Sequence, residues 1–124
     1  MEKQKIKSFK DLLVWQKGHN IVLEVYRLTK LFPREELFAL TSQIRRAVIS
    51  ITSNIAEGFG RAFLKEKVHF YTISYGSLLE TLNQLEIAKD LGYITSKDFV
   101  NLEAELSELA KMLQSLMKVI KADY

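Results

Sequence analysis

With 124 residues, 48% of them hydrophobic and 27% charged, the chain has the size and composition of one globular domain that can bury a core without staples. It contains no cysteine, which excludes disulfides, thiol catalysis and cysteine-ligated zinc or iron–sulfur centres, and fits a reducing interior. The net charge of +3 is too small to argue for nucleic acid by itself.

The distribution of charge says more. Residues 1–67 carry 13 Lys/Arg and 7 Asp/Glu, a balance of +6, whereas residues 68–124 carry 5 and 8, a balance of −3. Such asymmetry suits a basic surface that attracts phosphate, or opposite ends of neighbouring subunits. No apolar run approaches the ~20 residues that span a bilayer. The N-terminus, MEKQKIKSFK, has no apolar core and does not read as a signal peptide. The expectation is a cytoplasmic protein without membrane contact.

In chain order, residues 1–7 lack apolar periodicity and read as a flexible basic arm, leaving residues 8–124 as the folded domain. Ser8 opens SFKD, a capping-box pattern with Asp11 placed for the helix dipole. The first helix is predicted from about Lys10 to Leu31, ended by Pro33. Two apolar stripes keep helical step on it: Leu12, Trp15, His19, Val22, Tyr26, and Val14, Gly18, Ile21, Val25, Leu28, Phe32. Together they make a face wider than one bundle contact needs, so Ile21, Val25 and Phe32 are expected to point outward as an oligomer interface.

After PREELFALT, a short connection with room for one helical turn, a second helix is predicted over Leu40–Gly58. Leu40, Ile44, Ala47, Val48, Ile51 and Ile55 form its apolar face, and the glycines of GFGR suggest a left-handed cap. The third helix, about Lys65 to Leu91, repeats Leu64, Val68, Tyr71, Tyr75, Leu78, Leu82 and Leu85 at alternating steps of 4 and 3 and ends at Gly92. The mid-helix Gly76 suggests close approach of the second helix. Thr95 or Ser96 caps the fourth helix, which carries Phe99, Leu102, Leu106, Leu109, Leu113, Leu116 and Ile120 in the same rhythm. No strand pattern intervenes. The fold is therefore expected to be all-α, an antiparallel up-down-up-down four-helix bundle.

A polar ridge runs beside the apolar face of the second helix: Gln43, Arg46, Ser50, Asn54, Glu57, Arg61, at spacings of 3, 4, 4, 3 and 4. It either faces a partner, offering Arg46, Arg61, Gln43 and Asn54 to phosphates or bases, or forms a polar seam. In the seam, Asn54 bonds backbone and Glu57 pairs with Arg61 or with Arg46 of another copy, with Ser77 and Glu80 joining from the third helix.

Four stretches resemble the 23S rRNA intervening-sequence protein family, also called four helix bundle proteins. They are F-x-D-L-x-V-W at Phe9–Trp15, FP-x-x-E at Phe32–Glu36, Q-x-R-R-A-x-x-S-I-x-x-N-I-A-E-G-x-G-R at Gln43–Arg61, and GS-x-x-E at Gly76–Glu80 followed by LGYI. The chain departs from it at Tyr75, where relatives often carry Ala. The resemblance implies a homo-oligomer, with relatives forming a pentameric ring of four-helix protomers. It implies genes lying inside inserts of bacterial 23S rRNA genes or free-standing, and a distant branch that binds a reverse transcriptase and nucleic acid. No enzymatic activity and no cofactor are implied.

Nothing in the residues suggests catalysis. No serine lies in a nucleophile elbow, and GFGR lacks the spacing of a phosphate loop. Glu66 and His69 form one E-x-x-H, but a di-metal bundle needs two such motifs and two further glutamates, so no metal site is expected. The nucleic-acid candidates are Arg45, Arg46, Arg61, Lys65 and Lys67, with Lys3, Lys5 and Lys7 on the arm and Lys10 just after it. A solvated helix face is their plain alternative, although repetition around a ring would join them into a basic surface. Trp15, Tyr26, Tyr71 and Tyr75 lie at core spacing and read as packing. The function expected is a non-enzymatic ring-forming scaffold that binds RNA or an RNA-processing protein. The alternative is a protein-interaction module without nucleic-acid affinity, and a metal- or ligand-binding bundle is a third class.

Overall fold

The computed structural model describes residues 5–124; the first residues of the basic arm, Lys3 among them, lie outside the described residues. Four α-helices follow one another: α1 (Leu13–Thr29), α2 (Leu40–Phe59), α3 (Leu64–Asp90) and α4 (Ser96–Lys121). Each packs against its neighbours in sequence, and α1 closes on α4, so the bundle is a square in which the diagonal pairs α1/α3 and α2/α4 do not meet. Contacts such as Arg45 to Thr29, Ser77 to Ser50 and Gln114 to Tyr75 run in antiparallel register. The all-α four-helix bundle is thus what the 3.6-residue periodicity requires.

The helix ends follow local chemistry. Ser8 and Asp11 form the anticipated capping box: Ser8 Oγ accepts from Lys10 N and Asp11 accepts from Ser8 N. It closes a 3-10 turn, Phe9–Asp11, rather than α1, because extended backbone at Leu12 interrupts the run. Thr95 caps α4 by accepting from Asp98 N at 3.1 Å. At Gly92 the backbone turns to φ 82°, and Tyr93 N and Gly92 N donate to the carbonyls of Ala88 and Lys89, the paired bonds of a Schellman end. The expected left-handed cap at GFGR is absent. Gly58 is a buried helical residue and Gly60 has a right-handed φ of −76°. Gly58 is needed for space: a Cβ there would lie 2.7 Å from the Tyr71 ring.

Two further expectations are corrected. Ile21, Val25 and Phe32 do not face outward; they are 2%, 0% and 7% exposed and belong to the protomer's own core. The face of α1 is wide because α1 must cover both α2 and α4, so the stripe that looked surplus is the one buried deepest. The second stripe, Leu12, Trp15, Val22 and Tyr26, is half-buried, with Trp15 stacked on His19. Gly76 is not pressed by α2 either. It is exposed, and a Cβ built there meets nothing within 4 Å. The core otherwise holds Ile44, Ile51 and Ile55 of α2, Leu78 and Leu85 of α3, and Leu102, Leu106, Leu109 and Leu113 of α4.

Candidate nucleic-acid interface

The closest helix pair is α2/α3, and small polar residues make it so. Ser50 and Ser77 share a hydrogen bond of 2.8 Å, Asn54 Nδ2 donates to the carbonyl (2.8 Å) and hydroxyl (3.0 Å) of Ser50, and the buried Ser74 donates to the Ile51 carbonyl at 2.7 Å. Small side chains let two backbones approach, and once near they satisfy one another. The predicted seam therefore forms only at its centre. Ser50, Asn54 and Ser77 join it, whereas Gln43, Glu57 and Glu80 are exposed. Glu57 pairs with Arg61 of its own helix, one turn on. Ser74, the buried member, was missed. It stands three residues after Tyr71 and four before Leu78, so helical spacing already put it on the buried face of α3.

The five basic candidates divide by how they are held. Arg45 is half-buried: its Nε donates to Thr29 Oγ1 at 2.9 Å and its guanidinium lies 4.6 Å over the Tyr26 ring. Arg61 is tied to Glu57 and lies over Phe70. Lys67 Nζ donates to the Phe59 and Gly58 carbonyls, neutralising the C-terminal end of α2. Lys65 is exposed, with its ammonium 5.8 Å from the Tyr124 ring. Arg46 is exposed and has no ion pair among the described residues. Lys5 and Lys7 on the arm, and Lys10 in the turn that follows it, are exposed.

Arg46 lines an open polar groove of about 500 Å3 between α2 and α3, with Phe38, Gln43, Ser50, Glu80 and Gln84 around it. The Oε1 of Gln84 is buried in that wall without a hydrogen-bond partner among the described residues. Phe38 stands at the rim, 93% exposed. On the other side of α2's first turns, a smaller cleft of about 200 Å3 is bounded by the end of α1 and the Pro33–Leu37 turn, where Lys30, Arg34, Thr41 and Arg45 converge. Periodicity gave no warning of either cavity, because Phe38 and Thr41 both read as part of the connection PREELFALT. Tyr75, the departure from the family pattern, is half-buried and hydrogen-bonded by Gln114 Nε2. Glu66 and His69 are both exposed, and among the described residues no group of three or more His, Asp or Glu side chains could hold a metal ion.

A square bundle of four helices, with polar grooves on either side of α2, defines a small all-helical protein. The chain belongs to the 23S rRNA-intervening sequence protein family, whose pattern it matches over residues 10–115. It is also similar to the crystal structure of a protein with unknown function from the S23 ribosomal protein family of Bacteroides thetaiotaomicron VPI-5482. The two share 25% identity over 86% of this chain and 99% of that one, with a TM-score of 0.79. No curated protein matches the chain. Among the described residues no helix is long and apolar enough to cross a membrane.

Proposed function

We propose that the chain is a non-enzymatic scaffold whose bundles associate into a ring and present basic surface to RNA or an RNA-processing protein. The observation that carries this is the outward face of α3. Apolar residues are spread round α3 more evenly than round the other helices. Ile73, Leu79 and Ile87 are exposed on either side of Gly76. An apolar outward ridge around a mid-helix glycine, which costs about 1 kcal/mol relative to alanine, is what a helix shows when a second surface closes on it. The self-association surface is thus the outer face of α3, in place of Ile21, Val25 and Phe32. Five copies is the number that the family resemblance implies.

A second reading, a protein-interaction module without nucleic-acid affinity, is favoured by one observation. Arg45, Arg61 and Lys67 are already engaged within the protomer. Sedimentation velocity at low and high salt tests the assembly; RNA titration of the assembled protein separates the two readings. Binding that weakens steeply with salt supports the scaffold with an RNA partner. Absence of binding at moderate salt leaves the interaction module.

A further inference from the structure

We infer that the cleft between the end of α1 and the start of α2 is a phosphate site for single-stranded RNA, with Phe38 as the stacking platform for the adjacent base. The inference rests on the RNA reading above and locates it.

The charge is one-sided. Lys30, Arg34 and Arg45 line the cleft, and no acidic residue does. Lys30 and Arg34 are exposed and have no ion pair among the described residues. Arg45 has its Nε committed to Thr29 and its plane fixed on Tyr26, so its terminal nitrogens are held in place rather than swinging in solvent. A fixed guanidinium loses little freedom on meeting an anion.

The cleft also lies at the start of a 20-residue helix whose N-cap, Ala39, has no side-chain oxygen. The first intrahelical bond is Gln43 N to Ala39 O, so the N–H groups of Leu40, Thr41 and Ser42 have no helical acceptor. A second, independent observation points to a ligand. Thr41 is 2% exposed and lines the cleft, yet its hydroxyl has no hydrogen-bond partner among the described residues. A buried hydroxyl is rarely left unmatched. A phosphate oxygen accepting from Thr41 Oγ1 satisfies it, and the same anion meets the three cations.

The volume, about 200 Å3, is several times the roughly 30 Å3 share of one water molecule and suits a single phosphate group. Next to Leu37 in the cleft wall comes Phe38, which presents its ring to solvent beside Arg46 and Gln43. A strand whose phosphate occupies the cleft can stack a base on that ring and continue into the polar groove, where the Gln84 carbonyl oxygen lacks a donor. Duplex RNA keeps its bases stacked on one another and offers none to Phe38, hence the single strand. The cleft itself lies on the α1 side of α2.

Two probes test this on the full chain. Inorganic phosphate is titrated against 15N-labelled protein, with sodium chloride at matched ionic strength as control. The amides of Leu40, Thr41 and Ser42 shift with phosphate and not with chloride, and Arg34→Ala with Lys30→Ala removes the shift. A fluorescein-labelled oligouridylate is then titrated by anisotropy. Phe38→Ala weakens binding about five- to 150-fold, and each lost phosphate contact lowers the log–log salt slope by about 0.7. All these positions are exposed, so the variants fold; an unchanged circular dichroism spectrum and molar mass confirm it. Wild-type RNA binding that survives these substitutions but falls in Lys65→Ala overturns the site while keeping the RNA reading. Phosphate shifts without any effect of Phe38→Ala overturn strand docking, and no phosphate shift overturns the cleft altogether.

Discussion

Two glycines on adjacent helices predict opposite responses to the same substitution. At Gly58 an added Cβ would stand 2.7 Å from Tyr71 Cε1, 3.0 Å from its Cδ1 and 3.2 Å from Phe70 Cβ. Tyr71 is a buried ring walled in by the core, so it cannot swing aside as an exposed lysine would. Forced overpacking of this kind costs about 1–3 kcal/mol. Alanine's helix preference returns about 0.5–1 kcal/mol of it. Gly58→Ala should therefore destabilise the protomer by about 1–2 kcal/mol. At Gly76 nothing stands within 4 Å of the added Cβ, so only the helix preference acts, and Gly76→Ala should stabilise the isolated protomer by about 0.5–1 kcal/mol. Urea denaturation followed by circular dichroism, at a concentration below that of assembly, measures both. A Gly58→Ala protein as stable as wild type would refute the close packing of α2 on α3. A Gly76→Ala protomer less stable than wild type would mean that this side of α3 is covered within one chain. Within the assembly the sign at Gly76 reverses, since a methyl group on a closely approached face holds the second copy off.

Other expectations follow from the packing and the ion pairs. Ile21→Ala should lower stability by about 2–5 kcal/mol in a denaturation series and leave the molar mass unchanged, since Ile21 is core and not interface. Ser74→Ala removes the bond to the Ile51 carbonyl and should cost about 1 kcal/mol, with the loss seen in the unfolding midpoint and not in its slope. The hydrogen bond from Lys17 to Glu105 holds its ammonium above the ordinary 10.5, against the desolvation of its stem, and Glu108 adds to the effect. Because the folded pKa is raised, the stability this contributes is fully present below pH 10.5 and is lost as pH rises through the folded value. Thermal unfolding of Lys17→Met should accordingly differ from wild type at neutral pH, by no more than about 1 kcal/mol for so exposed a triad, and converge with it at strongly alkaline pH.

The four helices were legible because each carries an apolar face at helical spacing for about five turns or more, and because Thr95 and Gly92 mark ends through local chemistry alone. What failed to be legible was which surplus face is inside. Periodicity ranks positions around one helix and cannot count that helix's neighbours, so the face of α1 that two neighbours cover looked like one for a second copy. Gly58 and Gly76 show the same limit. Both are glycines inside a helix, but one makes room for Tyr71 and the other meets nothing in its own chain. The polar ridge of α2 meets α3 only at its centre, through Ser77, and its C-terminal end turns aside because Glu57 and Arg61 close a local ion pair. The basic set was identified by charge alone, which does not reveal that Arg45 is fastened to Thr29 and Tyr26 or that Lys67 caps α2. The two clefts beside α2 arise from the juxtaposition of loop and helix, which no spacing rule encodes.

The central claim is that copies of this bundle meet through the outer face of α3. Light scattering on wild type and on Ile73→Arg with Ile87→Arg, at equal concentration, tests it most directly. Both isoleucines are exposed in the protomer, so the substitutions leave the fold intact, as circular dichroism will verify. The account predicts an assembly of several chains for wild type and a folded monomer for the double variant. A wild-type assembly that persists unchanged in the variant, or a wild type that is itself monomeric, would contradict it.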